Sequence, residues 1–450
     1  VRIVIVGAGK LGYSIAGLLS NEGYEVVMID QDETKLEAVK NTLDVLTIRA
    51  NGASPATMTD VEVRGADLLI AVTDSDEVNL LACILAKKHR IRHTIARLRD
   101  MQFVSEVGDY LKKTFAIDVM LNSEYITAQE IYRILMTTAA LNVEDFASGK
   151  VRLFETKVRR DSKLAGIPLK DMDMPAAVLA GMIFRDHQMI IPHGDDILKP
   201  GDNAYFIGDP AEIEKFSARF VKREARRLER LMIIGAGRTG RALAMMFDKT
   251  EVKVKVIEKD SERCQQMANG LGNGMVICGD GTDIDLLTQE GIDETDVVVC
   301  LTEDDKLNLM LALLAKHLGA RETVVRVGRG EYVDLMEKVG VDIVLSARLL
   351  SASEVLAFAR RGGVVSVSLL ESAKAEAVEV IVQEDAPVVG KPLKEVRLPR
   401  ECLVCAYVRG EEATIPNGDS VLFPGDRAIL FIETQFSQKV IKYFKGREQE

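Results

Sequence analysis

The strongest constraint on this chain is internal duplication. Gly7, Gly9, Gly12 and Asp30 recur as Gly235, Gly237, Gly240 and Glu258, each 228 positions later (235 − 7 and 258 − 30). Further on, Ala71-Val-Thr-Asp-Ser-Asp-Glu-Val-Asn-Leu80 recurs as Cys300-Leu-Thr-Glu-Asp-Asp-Lys-Leu-Asn-Leu309, and Ala96-Arg97 as Val325-Arg326, one inserted residue later. A second kind of unit also repeats. Gly166-Ile-Pro-Leu-Lys170 pairs with Gly390-Lys-Pro-Leu-Lys394, Ile191-Pro-His-Gly-Asp195 with Ile415-Pro-Asn-Gly-Asp419, and Pro200-Gly-Asp202 with Pro424-Gly-Asp426. The layout is therefore A-B-A-B, and the unit of folding has to be sought within each repeat.

Each A unit opens with an apolar strand pattern that runs into G-x-G-x-x-G, then a helix pattern, then a strand ending in an acid. This is the signature of a Rossmann-like α/β domain with a parallel sheet. Each B unit is built from short β-branched runs, such as Val178 to Ile183 and Ala428 to Ile432, alternating with Pro-Gly-Asp turns. It reads as a small α+β domain closed by a helix, Ala211 to Phe220 or Phe436 to Phe444. A helical stretch joins A to B in each half, Glu124 to Leu141 and Ser346 to Arg360. Ile126, Ile131, Ile134 and Leu135 give the first of these one sticky face, which could reach into a partner. The expected organisation is a first Rossmann-like domain over 1–122, a connecting helix over 123–145 and a small domain over 146–221. A Lys- and Arg-rich linker over 222–230, most simply a solvated helix face, separates the halves. The second half follows as 231–345, 346–362 and 363–450.

Size and composition fit several domains that each bury a core: 450 residues, 47% hydrophobic and 28% charged, with no low-complexity tract. The apolar runs are short. Val297 to Leu301 is bounded by Asp296 and Thr302, and no run approaches the roughly 20 residues that span a bilayer. The chain opens on strand-like Val1 to Val6 without a signal-peptide pattern, so a cytoplasmic location is expected. Cys83, Cys264, Cys278, Cys300, Cys402 and Cys405 lie mostly in apolar runs and are expected to be reduced thiols. A formal net charge of −11 argues against a nucleic-acid surface.

The chemistry of the A units follows from their spacing. One glycine makes the tight turn, one lets the backbone approach a pyrophosphate, and one allows close helix packing. The helix N-terminus then offers N–H groups and partial positive charge to phosphate. Asp30 and Glu258 can accept ribose hydroxyls, and would repel a 2′-phosphate. Thr73-Asp74 and Thr302-Glu303 follow a buried strand, where open α/β sheets bind ligands; helix capping by Asp74, Ser75 or Asp76 is the competing role. Arg97 and Arg326 end the fifth strand, where a guanidinium pairs either with phosphate or with a surface carboxylate.

Catalysis finds less support. Hydride transfer needs an acid or base beside the nicotinamide. The five histidines, His89, His93, His187, His193 and His317, are not duplicated between halves. His89-x-x-x-His93 suits a helix C-terminus better than a metal, and Cys402-x-x-Cys405 lacks a second pair and reads as core packing. No metal site is expected. The runner-up reading is an NAD-dependent oxidoreductase of unidentified substrate; a third is the cytosolic tail of a channel or antiporter.

The strings GAGKLG…VVMID, AVTDSDEVNLLAC and IAR, with IPxGD…PGD in the B units, resemble the TrkA family of peripheral subunits of Trk-type potassium transporters over essentially the whole chain. The resemblance implies two tandem regulator-of-potassium-conductance units, assembled as a homo-oligomeric ring on the inner face of the cell membrane against an integral-membrane potassium transporter. It implies NAD(H) and ATP or ADP as ligands, and no enzyme activity. It carries nucleotide contacts onto Gly7, Ala8, Gly9, Lys10 and Leu11, ahead of Gly12, and onto Asp30, Thr73, Asp74 and Arg97. In the second half these are Gly235, Ala236, Gly237, Arg238 and Thr239, ahead of Gly240, with Glu258, Thr302, Glu303 and Arg326. In related units a basic residue at the position of Lys10 or Arg238 reaches phosphate across a subunit interface.

Overall fold

The computed structural model describes the chain except for residues 102, 104–107, 137–142, 159–161, 163, 187, 219–227, 361–363, 372–373 and 447–450. The first repeat forms a six-stranded sheet of β1 (Arg2–Val6), β2 (Glu25–Asp30), β3 (Leu46–Arg49), β4 (Leu68–Ala71), β5 (His93–Arg97) and β6 (Val119–Leu121). Its order is β3-β2-β1-β4-β5-β6, with parallel ladders throughout. This is the strand order of a doubly wound dinucleotide fold, with its switch point between β1 and β4. Strands covered on both faces need near-continuous apolar sequence. Ile3 to Val6 and Leu68 to Ala71 supply it, at 0–4% exposure. The helices α1 (Lys10–Asn21), α2 (Glu33–Lys40), α3 (Pro55–Met58), α4 (Asp76–Lys88) and α5 (Gly108–Phe115) alternate with the strands, and α6 (Ser123–Met136) leads out.

A five-stranded sheet follows, of β7 (Val143–Phe146), β8 (Val151–Lys157), β9 (Val178–Arg185), β10 (Gln188–Ile190) and β11 (Asn203–Gly208), ordered β10-β9-β11-β8-β7 and antiparallel. The helix α7 (Pro210–Ala218) closes it. The second half repeats the plan. β12 (Arg230–Ile234), β13 (Lys253–Glu258), β14 (Met275–Cys278), β15 (Val297–Cys300), β16 (Glu322–Val327) and β17 (Ile343–Ser346) are ordered β14-β13-β12-β15-β16-β17. They are interleaved with α8 (Arg238–Phe247), α9 (Ser261–Ala268), α10 (Ile284–Gln289), α11 (Asp305–His317) and α12 (Val333–Val339), and α13 (Ala347–Ala359) leads out. The last sheet holds β18 (Val364–Leu370), β19 (Ala375–Ile381), β20 (Cys402–Arg409), β21 (Glu412–Thr414) and β22 (Arg427–Glu433), ordered β18-β19-β22-β20-β21, before α14 (Ser437–Ile441). In both small sheets the aspartate of the Pro-Gly-Asp turn is buried and held by an arginine, Asp202 by Arg185 and Asp426 by Arg409, each at 2.7 Å. The motif repeats because the buried aspartate, held by its arginine, pins the turn to the sheet.

The chain divides into two compact units that cut across the repeats: residues 1–127 with 346–359, and residues 128–345 with 360–450. In the first unit α13 buries Ala352, Val355 and Leu356, its Ser351 hydroxyl donates to Ser123 at 2.7 Å, and Phe358 meets His93 edge-on. In the second unit Ala128, Ile131 and Ile134 of α6 join Leu243, Ala244 and Phe247 of α8 in one core. Part of the apolar face of α6 is thus covered within its own chain, while Ile126 and Leu135 stay half-buried. An apolar period specifies a sticky face without naming what covers it. The second unit also holds both small sheets. Met182, Tyr205 and Ile207 of one share a core with Ala377, Cys405 and Phe431 of the other. Of the expected connecting segments, 137–142 and most of 222–230 lie outside the described residues.

Candidate functional site

The glycine turn of each Rossmann unit is locked by backbone geometry. Gly7 and Gly235 have φ of +110° and +108°, which a side chain would strain. A Cβ on Gly12 would stand 1.9 Å from the carbonyl oxygen of Gly7, and one on Gly240 2.0 Å from that of Gly235. These positions admit only glycine while the turn keeps its shape. Gly9 and Gly237 differ: a Cβ there would meet nothing within 4 Å. The packing leaves them free to be anything small, and what glycine provides is an open approach to the backbone. Both are helix N-caps without a side-chain bond, whereas α2, α4, α9, α10 and α11 are capped by Asp32, Ser75, Asp260, Asp283 and Asp304. The starts of α1 and α8 thus keep N–H groups and an open cradle, which fits a pyrophosphate.

The acid at the end of the second strand braces this turn. One oxygen of Asp30 accepts the N–H of Ala8 at 2.7 Å and the other that of Asp32 at 2.9 Å. Glu258 does the same for Ala236 at 2.7 Å and Asp260 at 2.9 Å. Each oxygen retains a lone pair, so the carboxylate can bond a ribose hydroxyl while still holding the turn. Asp30 is half-buried, whereas Glu258 is only 6% exposed.

Across the switch point, a residue not singled out from sequence organises the opposite wall. Asn79, fully buried on α4, accepts the Thr73 N–H at 2.9 Å and the Thr73 hydroxyl at 2.7 Å, and donates to the Arg97 carbonyl at 2.9 Å. It ties the end of β4 to the end of β5. Asn308 repeats this with Thr302 and Arg326, at 2.9, 2.6 and 3.0 Å. Its recurrence within the two matched ten-residue segments was the available signal. Thr73 and Thr302 therefore spend their hydroxyls on the wall. Asp74 and Glu303 are exposed, and the cap of α4 is Ser75. Arg97 lies 3.6 Å from both Asp74 and Glu124, with its Nε buried and unbonded; Arg326 has a buried unbonded Nε as well.

The copies are not equivalent. Lys10 and Arg238 both project into solvent at the helix start, without an ion-pair partner among the described residues. Leu11 is matched by the buried Thr239. Asp118 and Asp342 correspond, each bound at 2.8 Å by a helix lysine, Lys87 or Lys316. Six residues beyond them the first copy carries Glu124 and the second Arg348. The guanidinium of Arg97 thus has carboxylate neighbours, while Arg326 has no ion pair among the described residues.

Other candidates lie elsewhere. His93 pairs with Asp118, 3.5 Å away at the amino end of β5, and His193 is an exposed neighbour of Asp196. His89 is the C-cap of α4, His317 ends α11, and His187 is outside the described residues. Cys402 and Cys405 are buried in β20, and burial pushes both thiols up. Among the described residues no group of three or more His, Cys, Asp or Glu could hold a metal, and no helix is long and apolar enough to cross a membrane.

Comparison with known proteins agrees with this architecture. The TrkA-N domain model matches residues 3–122 and 231–347, and the TrkA-C domain model residues 153–221 and 377–445. A Trk system potassium uptake protein TrkA homolog of Methanosarcina mazei is 38% identical over 99% of this chain and 100% of its own length. Among solved structures, the GsuK channel bound to NAD has a TM-score of 0.61 at 19% identity, covering 98% of this chain and 78% of that one. GsuK bound to ADP gives 0.52 at 17%, covering 80% and 69%; both share the fold. With both domain models present twice and a relative similar from end to end, the chain belongs to the TrkA family of Trk system potassium uptake proteins.

Proposed function

We propose that this chain is a nucleotide-sensing regulatory subunit that gates potassium uptake through a Trk-type membrane transporter. It works from the cytoplasmic face of the membrane as a homo-oligomeric ring, and does not itself catalyse hydride transfer. The observation that carries the reading is the carboxylate-braced, uncapped glycine turn, present twice with the same distances. Asp30 and Glu258 already hold the loop that phosphate would contact, so ribose and phosphate bear on one hydrogen-bonded element. A nucleotide shifts the protein's shape only through its differential affinity for two arrangements, and a turn shared by ligand and scaffold is where such a difference arises. The GsuK structures with NAD and ADP support both ligand classes for this fold. Contacts fall on 7–12, Asp30 and Arg97 in the first half, and on 235–240, Glu258 and Arg326 in the second; Thr73, Asp74, Thr302 and Glu303 form the facing wall. NAD(H) suits the first crevice. ATP suits the second, where Arg238 and Arg326 supply cationic groups for a terminal phosphate.

The test is nucleotide binding followed by flux. Losing the charge-assisted ribose bond in Asp30→Ala or Glu258→Ala should weaken binding at the altered site roughly ten- to a hundredfold. In vesicles carrying the transporter, ATP, ADP, NADH and no ligand should give different potassium fluxes, and Arg238→Ala should blunt the ATP response. Equal flux in all four states would refute the proposal.

A further inference from the structure

Two of the six cysteines meet beside the second crevice. β14 pairs with β13 in parallel register, which sets Cys278 opposite Glu258. Alternation along both strands sends these residues to one face: Val256 and Val276 pack in the core that contains Met267 of α9, whereas Ile257 and Ile277 pack in the core on the opposite face. Cys278 is therefore on the α9 side. Cys264, on α9, is buried, and its thiol donates to the carbonyl of Glu258 at 3.1 Å. Burial first, then the neighbouring Cys278 thiol and the charges of Glu258 and Asp260, push the Cys264 thiol up to about 12. Cys278 itself is exposed.

This arrangement belongs to one copy only. The first Rossmann unit has Leu36 and Arg49 at the equivalent places, and Arg49 is engaged by Glu33. It is also absent from the sequence motif that suggests redox chemistry. Cys402 and Cys405 stand three apart, but both are buried within β20. Cys83 and Cys300 are buried too.

We propose that Cys264 and Cys278 form an oxidisable thiol pair which a small-molecule disulfide closes into an intrachain bridge at the rim of the second crevice, and that a nucleotide bound on Glu258 shields it. The exchange is balanced as follows. The Cys278 thiolate attacks one sulfur of RS–SR, and the RS⁻ released takes up a proton. The Cys264 thiolate then attacks the Cys278 sulfur, expelling a second RS⁻ that is also protonated. Two protein thiols become one disulfide, and one small-molecule disulfide becomes two thiols. Cys264 is the slower partner, since it reacts as thiolate, and the closing step should quicken as pH rises above neutrality.

The test uses the full chain and oxidised glutathione. Wild type should lose two titratable thiols without retaining glutathione. Cys264→Ser should keep one glutathione on Cys278, and Cys278→Ser should lose neither thiol nor gain an adduct, with circular dichroism checking that both variants fold. A stable adduct on wild type, or no loss of thiols, would overturn the pair. Shielding rests on the nucleotide reading above, whereas the bridge does not. Saturating ATP or NADH should slow bridging severalfold in wild type. Bridging at the same rate with nucleotide demonstrably bound would remove the shielding claim. If nucleotide does not bind at all, the nucleotide reading fails and the thiol result stands apart.

Discussion

The glycines of one turn have opposite tolerances, and that separates folding from binding at single positions. A methyl on Gly12 would sit 1.9 Å from the Gly7 carbonyl, a backbone atom that cannot step aside. Overpacking of this kind costs about 1–3 kcal/mol or more. Gly12→Ala should therefore lower Tm measurably, at roughly 2–4 °C per kcal/mol for a unit of this size. Gly9→Ala places its methyl in open space at a helix N-cap. It should cost at most about 1 kcal/mol in the fold, yet block close approach of phosphate to the backbone. Calorimetry and a thermal melt on both variants check the pair. Loss of binding with a melt lowered by no more than about 2–4 °C is expected for Gly9→Ala; if that variant still binds at wild-type strength, phosphate does not approach there.

At the scale of elements, half-buried carboxylates where strands and helices meet set a pH dependence. Burial pushes Glu144 of β7 up to about 7, despite a hydrogen bond from the Ser368 hydroxyl of β18. Burial also pushes Glu337 of α12 up to about 7, with Lys157 opposing and Asp334 and Glu371 adding to it. A folded-state pKa above the unfolded value near 4.5 means that the native protein holds protons which the unfolded chain has lost. The stability they contribute is complete below about 4.5 and disappears as pH rises through about 7. Asp118, Asp248 and Asp280 are shifted down from 3.8, so their opposite effect falls below this window. Melts of Glu144→Gln should gain on wild type at pH 8 and show little gain at pH 5; an equal gain at both would mean that charge is not the cause. The elements themselves were largely legible, because apolar strands, glycine turns and terminal acids repeat at one offset. The tie between Thr73, Asn79 and Arg97 was not: Asn79 recurs as Asn308, but a first-turn asparagine reads as an ordinary polar helix position until β4 and β5 lie side by side. Cys264 and Cys278 were equally hidden: their meeting depends on the β13–β14 register, which residue spacing does not encode.

For the whole molecule, the compact units and the sequence repeats do not coincide. A fragment of residues 1–228 carries the first sheet but lacks 346–359, which completes that unit, and lacks the second small sheet that buries Tyr205 and Met182. Expressed alone it should be poorly soluble or melt far below the full chain, and co-expression with residues 229–450 should restore it. A soluble first half with the melting point of the intact protein would contradict this division. The interleaving also bears on mass action. If each half were a separate chain, completing the first unit would be a bimolecular event that dilution reverses. Joined in one polypeptide, the same helix is supplied at an effective concentration fixed by the tether, so completion no longer depends on how much protein is made. That independence frees the two crevices from being identical: Asp30 and Glu258, or Leu36 and Cys264, can drift apart without any risk that like halves pair with like.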